Sequence, residues 1–502
     1  MVNWQDLLPL ITLASSLGTG IVIFFLSEKH STLRSLLNMF GASVKVIAVA
    51  VMSWGFLVHD VDYQMRFTLA LGFDFLLRVD FLSLVFLSLS ANLWFLTTIY
   101  AIGYLEGSPN RSRFFGFFSL CVTASTGIAL AGNLITFFIF YEFLTLVTYP
   151  LVVHRGTEKA IRAGRVYLWY NVSGGAVLFV AVVYLTTLAG SFDFTAGGVL
   201  AEIAGDEKRN LLQFIFFLLV LGLGVKTAMV PLHGWLPVAM VAPAPVSALL
   251  HAVAVVKAGA FGILRVIYYV YGKDYAAALG VLFPLSLAAA VTILYGSLQA
   301  MHHKDLKKRL AYSTVSQVSY IVLGMTLLSP LAVVGGLVHL IHQGIMKITL
   351  FFCAGNVAET LGFHRIDELS GVGRRMPLTM GTFTIAAFGM IGIPPVAGFI
   401  SKWYLALGGL QDGQLWVVAV LVISTLLNAA YFLPIIYIVW FRVPEAGGPS
   451  ENFQGLLETR WTLLLPTVIT AFFSLGAGLW AGWQWSPLGV AEKIAQGMGI
   501  LP

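Results

Sequence analysis

Nine proton-exchanging side chains sit inside runs of sequence that are otherwise too apolar to hold them. Glu142 lies in FFIFYEFLTLVTYPLV. Lys226, His233, His251 and Lys257 share KTAMVPLHGWLPVAMVAPAPVSALLHAVAVVKAGAFGILR, with Pro231, Pro237, Pro243 and Pro245 between them. His339, His342 and Lys347 follow in VHLIHQGIMKITLFF, and Lys402 closes GMIGIPPVAGFISKW. An ionisable group at the centre of a membrane helix costs roughly 2.5–3.5 kcal/mol. The glutamate and four lysines together cost on the order of 10 kcal/mol, comparable to the whole stability of an ordinary domain. They must face a wet or protein-lined interior.

The chemistry such groups offer is proton transfer. An acid beside a lysine holds its charge, and moving or protonating that acid shifts the lysine's proton affinity. Glu142 is the expected partner of Lys226. His233 stands seven residues beyond Lys226, close to the same face if the helix runs on through Pro231. It reads either as a relay or as a hydrogen-bonded structural histidine, and so does His251. Lys257, six residues past His251, is too deep to snorkel to the interface. Arg265 reads as an interfacial anchor. His339, His342 and Lys347 form a relay within one run, and Lys402 mirrors Lys226. No acids flank the HxxH spacing, so no metal is expected, and nothing indicates a cofactor. A solute carrier would concentrate its contacts in one place. Single lysines spread over several helices suit protons passed along the plane of the membrane, and a row of cations repels Na⁺.

The elements that must carry these residues are membrane helices. The chain has 502 residues, 58% hydrophobic and 10% charged. Soluble proteins are about 25% charged. Mean hydropathy is +0.88. A bilayer crossing needs about 20 apolar residues, and about fourteen such runs occur. They lie near 7–27, 39–58, 80–104, 114–131, 133–153, 166–189, 211–240, 243–271, 276–299, 310–328, 331–359, 378–408, 414–441 and 461–484. The runs at 211–240, 331–359 and 378–408 exceed a straight span and predict tilted or broken helices. Asp6, without a basic region before it, argues against a signal peptide. Cys121 and Cys353 sit in apolar runs and read as small buried hydrophobes.

Basic residues concentrate in the loops after odd-numbered runs: Lys29 and Arg34; Arg111 and Arg113; Arg155, Lys159, Arg162 and Arg165; Lys304, Lys307, Lys308 and Arg309; Arg365, Arg374 and Arg375. Loops after even-numbered runs hold acids, among them Asp60, Asp62, Asp74, Asp193, Glu202 and Asp206. The positive-inside rule then puts both termini outside the cytoplasm. The net charge of +6 is thus a topological signal and no sign of nucleic-acid binding. Runs four to eight and nine to thirteen each contain a Pro-interrupted segment with a lysine, followed by one more helix. Five crossings per unit make the two units inverted repeats, a known layout for transport sites. The division predicted is residues 1–110, 111–272, 273–442 and 443–502.

Together with HKDLKKRLAYSTVSQVSYI at 303–321 and the HxxxxxxxK stretch ending at Lys347, these motifs resemble the antiporter-like subunits of respiratory complex I, membrane-bound hydrogenases and Mrp-type cation/proton antiporters. The resemblance covers roughly residues 80–440. It implies an all-α fold of fourteen helices, two inverted five-helix repeats, and breaks in helices seven and twelve. It implies the pair Glu142 and Lys226, a central Lys257 and a terminal Lys402. Lysine at that last position departs from the M type of complex I and fits the L, N and Mrp D types. No long lateral helix follows run fourteen, unlike the L type, so the Mrp D type or a hydrogenase-linked relative is the expected match. The expected function is proton translocation in the plasma membrane, with other membrane subunits as partners and Na⁺ exchange left open. The alternatives are a proton-pumping subunit of a redox-driven complex, a membrane partner in inorganic-carbon uptake, and a standalone solute carrier. Redox or nucleotide chemistry would fall to a partner, because no extramembrane domain remains to hold it.

Overall fold

In hydrocarbon the backbone has only itself to bond to, so apolar runs fold as helices. The computed structural model describes residues 7–68, 73–203, 208–443 and 458–501. Asp6 and Asp206, used above, lie outside them. From the N-terminus come α1 (Leu8–Phe24) and α2 (Ser31–His59), then a hairpin of β1 (Gln64–Thr68) and β2 (Asp74–Arg78). Next are α3 (Phe81–Tyr104), α4 (Arg111–Leu130), α5 (Leu134–Val152) and α6 (Glu158–Ala189). A short α7 (Leu200–Ile203) leads to α8 (Arg209–Thr227), α9 (Trp235–Val238), α10 (Ala244–Ala252) and α11 (Val255–Arg265), the last continuing as a π-helical turn over Val266–Tyr271. Then follow α12 (Lys273–Ala278), α13 (Leu282–His302), α14 (Leu306–Thr326), α15 (Pro330–Leu361) and α16 (Val372–Arg375). The chain closes with α17 (Pro377–Ile391), α18 (Ala397–Gln411), α19 (Leu415–Trp440), α20 (Trp461–Leu479) and α21 (Pro487–Gly497).

Each of the fourteen apolar runs coincides with a helix or a broken pair of helices. Eleven helical segments among the described residues are long and apolar enough to cross a bilayer. The other three fall short for separate reasons. Helix α1 has 17 residues. Helix α14 has 21 but gives many of them to Lys307, Lys308, Arg309 and a Ser, Thr and Gln series. The twelfth run splits into α17 and α18, of 15 residues each. Local caps set several boundaries: Asp80, Asn133, Thr157 and Asp305 each accept a hydrogen bond from the backbone N–H three residues on.

Of the three long runs, the seventh and twelfth are broken, whereas α15 is one continuous helix of 32 residues. A break the sequence reading did not foresee divides the eighth run at Val253 and Ala254, between α10 and α11. Helix α6 begins eight residues before its predicted run, so Arg162 and Arg165 ride on its first turns instead of lying in a loop. The innermost elements are α10, α11 and α15. Helix α15 packs on α3, α10, α14, α17, α18 and α20.

The hairpin is the one departure from an all-helical reading among the described residues. Its strands pair antiparallel from Gln64 with Arg78 to Thr68 with Asp74. Arg66 donates to Asp74 at 2.5 Å and also bonds Asp193 in the segment after α6. These groups lie outside the helices, and the Arg66 hydrogen bond holds the Asp74 carboxyl below the usual carboxylate range.

Candidate functional site

The site is organised by the end of α8. Thr227 is its last helical residue, and Ala228 adopts a left-handed conformation (φ 59°) that turns the chain away. The Trp235 indole donates to the carbonyl of Val225 at 2.7 Å, and Tyr141 donates to that of Gly222 at 3.1 Å. Helix α11 lies directly against this end: a Cβ on Gly259 would meet the Thr227 backbone nitrogen at 2.4 Å. Only glycine allows that approach.

Lys226, one residue before the break, is fully buried. Its Nζ donates to the Tyr141 carbonyl at 2.9 Å and to Thr145 Oγ1 at 2.6 Å, and lies 3.5 Å from the centre of the Tyr141 ring. Glu142 is near enough to interact electrostatically but makes no ion pair with it. The expected partners thus stand within electrostatic reach of each other without direct contact. Tyr141 and Thr145 stand four residues apart on the face of α5 that meets Lys226, while Glu142 is turned about 100° from Tyr141. Its carboxylate rests against α6, where a Cβ on Gly175 would come within 2.2 Å of Oε1.

His233 does not share a face with Lys226, because the helix ends before reaching it. Its ring stands in the turn, edge-on to Tyr295 at 4.9 Å and 6.1 Å from Tyr312. The second break separates His251 from Lys257. His251, on α10, stacks on Phe351 at 4.5 Å, with both ring nitrogens buried and without hydrogen-bond partners. Lys257, on α11, is fully buried, and its Nζ donates to the Leu340 carbonyl of α15 at 2.6 Å.

Helix α15 brings the remaining groups together. His339 Nδ1 is 2.8 Å from Ser401 Oγ, and the ring packs on Tyr320 at 5.2 Å. It lies within electrostatic reach of both Lys257 and Lys402. His342 sits beside the backbone of Ala397 at the start of α18. Lys347 is fully buried; its Nζ donates to the Leu310 carbonyl at 3.1 Å and to Ser313 Oγ. His251 is within its electrostatic reach.

Lys402 lies on α18, beyond the second Pro-containing break. Its Nζ donates to the Met390 and Ile391 carbonyls, each at 2.9 Å, which the end of α17 leaves free. The Tyr320 ring is 5.3 Å away. Around it run hydroxyls and one amide: Tyr320 donates to Ser424 at 2.7 Å, and Asn428 donates to Met390 O at 3.3 Å. Among the described residues no acid acts on Lys257, Lys347 or Lys402.

Sequence reasoning missed three features. Arg265 is no interfacial anchor: it is 1% exposed, forms a two-pronged ion pair with Asp80, and lies over the Tyr269 ring at 4.3 Å. A lone Asp ahead of run three was its visible signal. The tyrosines beneath Lys226 and Lys402 had no signal beyond being polar in apolar helices. Lys45, in the second run, is as buried as the others and was passed over although the same rule would have found it.

Fold and site define a multi-pass helical membrane protein with a row of buried lysines through its interior. Residues 131–428 match the family model described as NADH:quinone oxidoreductase/Mrp antiporter, TM, and residues 66–115 match that of NADH-Ubiquinone oxidoreductase (complex I), chain 5 N-terminus. The chain belongs to this NADH:quinone oxidoreductase/Mrp antiporter family. It is 37% identical over 390 residues to the N-type subunit of the NADH-quinone oxidoreductase of Desulforudis audaxviator, covering 76% of each chain. It is 28% identical over 490 residues to the D-type subunit of the Na(+)/H(+) antiporter of Bacillus subtilis, covering 96% of this chain and 95% of that one. Its fold is that of a chain in the Mrp complex from Dietzia sp. DQ12-45-1b, with TM-score 0.85, 21% identity and 99% of both chains covered.

Proposed function

We propose that this chain is the proton-translocating membrane subunit of a multisubunit cation/proton antiporter, and that protons move along Lys226, Lys257, Lys347 and Lys402 with Glu142 as the switch. The observation that carries this reading is how the lysines are held. All four amines are buried on carbonyl or hydroxyl oxygens, and among the described residues none is locked in an ion pair. A buried ion pair fixes its charge, because breaking it strands the partner. An amine on neutral acceptors gives up a proton and keeps its hydrogen bonds. His339, between Lys257 and Lys402, and His251, beside Lys347, are relays; His233 serves the break after α8.

In this reading the chain crosses the membrane fourteen times. Residues 111–272 and 273–442 are inverted five-helix units, 1–110 adds three helices and 443–502 one more, with both termini outside the cytoplasm in the plasma membrane. The two Pro-containing breaks, each with a lysine near a tyrosine ring, support the pairing of the units. The relative named as part of an Na(+)/H(+) antiporter and the Mrp complex support partnership with other membrane subunits. Na⁺ exchange is assigned to a partner. The identity to part of an NADH-quinone oxidoreductase favours a second reading, in which partner redox centres drive the same proton path.

The test uses the intact complex in proteoliposomes, with a valinomycin–K⁺ potential imposed and internal pH followed with and without Na⁺. Lys257→Ala and Glu142→Ala should each abolish proton movement while the complex stays assembled. Unchanged proton movement in both variants would sink the assignment. Na⁺-dependent exchange without an electron donor supports the antiporter reading over the redox-driven one.

A further inference from the structure

Lys45 stands at the centre of α2, a helix of 29 residues and about 44 Å, so it lies about 21 Å along the axis from either end. It is completely buried, and among the described residues no acid acts on it. Its Nζ donates to Thr126 Oγ1 of α4 and lies 5.3 Å from the centre of the Trp94 ring of α3. It is held as the proposed transfer lysines are, on one neutral oxygen and one aromatic face, yet it lies outside both five-helix units.

It is also the inner end of a polar column. Arg34, Asn38 and Lys45 follow one another on α2 at intervals of four and seven, which puts them on one face. Ser112, Ser119, Thr123 and Thr126 do the same on α4 at intervals of seven, four and three. The two rows meet. Arg34 donates to Ser112 Oγ at 2.9 Å and Ser119 donates to Asn38 Oδ1 at 3.3 Å. Thr123 donates to Ser16 of α1 at 2.9 Å. The outer end is Glu28, whose carboxylate accepts from Ser112 N at 2.9 Å, sits near Arg34 and Arg111, and is 46% exposed. At the inner end, Ser125 is 3.5 Å from Ser90 of α3. Helix α3 packs on α10 and α15, which carry His251 and Lys347. Hydroxyls both donate and accept, so the serines and threonines of this column are groups of the kind a proton relay uses, with an exposed acid at its mouth.

We propose that Lys45 is a proton-loading site fed from Glu28 through this column, a side path into the lysine row from the first, second and fourth helices. The proposal rests on the proton-translocating reading above. The competing explanation is a structural cation clamping three helices. Arginine separates the two, because it keeps charge and donors but does not release its proton.

The experiment repeats the imposed-potential assay on the intact complex with Lys45→Met, Lys45→Arg and, as control, Lys257→Ala. Both Lys45 variants should slow proton movement at least fivefold, with assembly checked on native gels; if Lys45→Met does not assemble, Lys45→Arg and Thr126→Val carry the test. Wild-type rates in Lys45→Arg, or in Lys45→Met, overturn the proposal. If Lys257→Ala is also unaffected, the proton-translocating reading itself has failed. If Lys257→Ala is inactive and the Lys45 variants are normal, only the side path has.

Discussion

The two Pro-containing breaks hold their lysines differently. At the first break Lys226 precedes the interruption, bonds a neighbouring helix, and has Glu142 within electrostatic range. At the second, Lys402 follows the interruption, bonds carbonyls released by its own broken helix, and has hydroxyls, an amide, an aromatic ring and the His339 imidazole around it, with no acid among the described residues. The first lysine therefore has a carboxylate within reach. The second has the end carbonyls of α17 aimed at it. One lysine is set beside an acid and the other on the end of a broken helix.

The largest expected effect comes from erasing that difference. Glu142→Gln makes the first region neutral like the second and should cut proton movement by about 100-fold or more, while Ser424→Ala at the second should cost less than about tenfold. Equal losses would show that the acid has no special place. Gly175→Leu is a subtler blow: its Cβ must displace the Glu142 carboxylate, so transport should fall about tenfold with Lys226 and Glu142 both intact. Wild-type flux in that variant would detach Glu142's position from its role.

The aromatic rings come next. A desolvated cation–π contact is worth about 2 kcal/mol and an exposed one about 0.5–1. Tyr141→Leu, with the ring at 3.5 Å, should change flux more than Tyr320→Leu, at 5.3 Å. The reverse order would break the comparison. Smallest is a stability effect confined to the first break. Trp235→Phe removes the bond to Val225 O and should lower thermal stability by about 1 kcal/mol, read by unfolding in detergent, with little change in flux.

The lysines were legible because charge in an apolar run has few explanations, and all four proved to be buried. The breaks at Pro231 and Pro394 were legible for a similar reason: proline removes a helix donor. The break at Val253 and Ala254 was not, since neither residue type interrupts a helix. Nor did the spacing reveal that Glu142 would turn to α6. A hydrophobic pattern reports that a face is buried, and not which of three neighbouring helices it meets. Lys45 was legible and overlooked, because nothing proline-rich drew the eye to its run.

Lys257 lies on α11, yet its amine donates to Leu340, a carbonyl of the unbroken helix α15. A charge-assisted bond is stronger than a neutral one, so the protonated amine grips α15 harder. Next along α15 is His339, bonded to Ser401 at 2.8 Å, and Ser401 is followed directly by Lys402. Thermodynamic linkage then imposes a symmetry: whatever factor loading Lys257 applies to proton affinity at Lys402 through α15, loading Lys402 applies to Lys257.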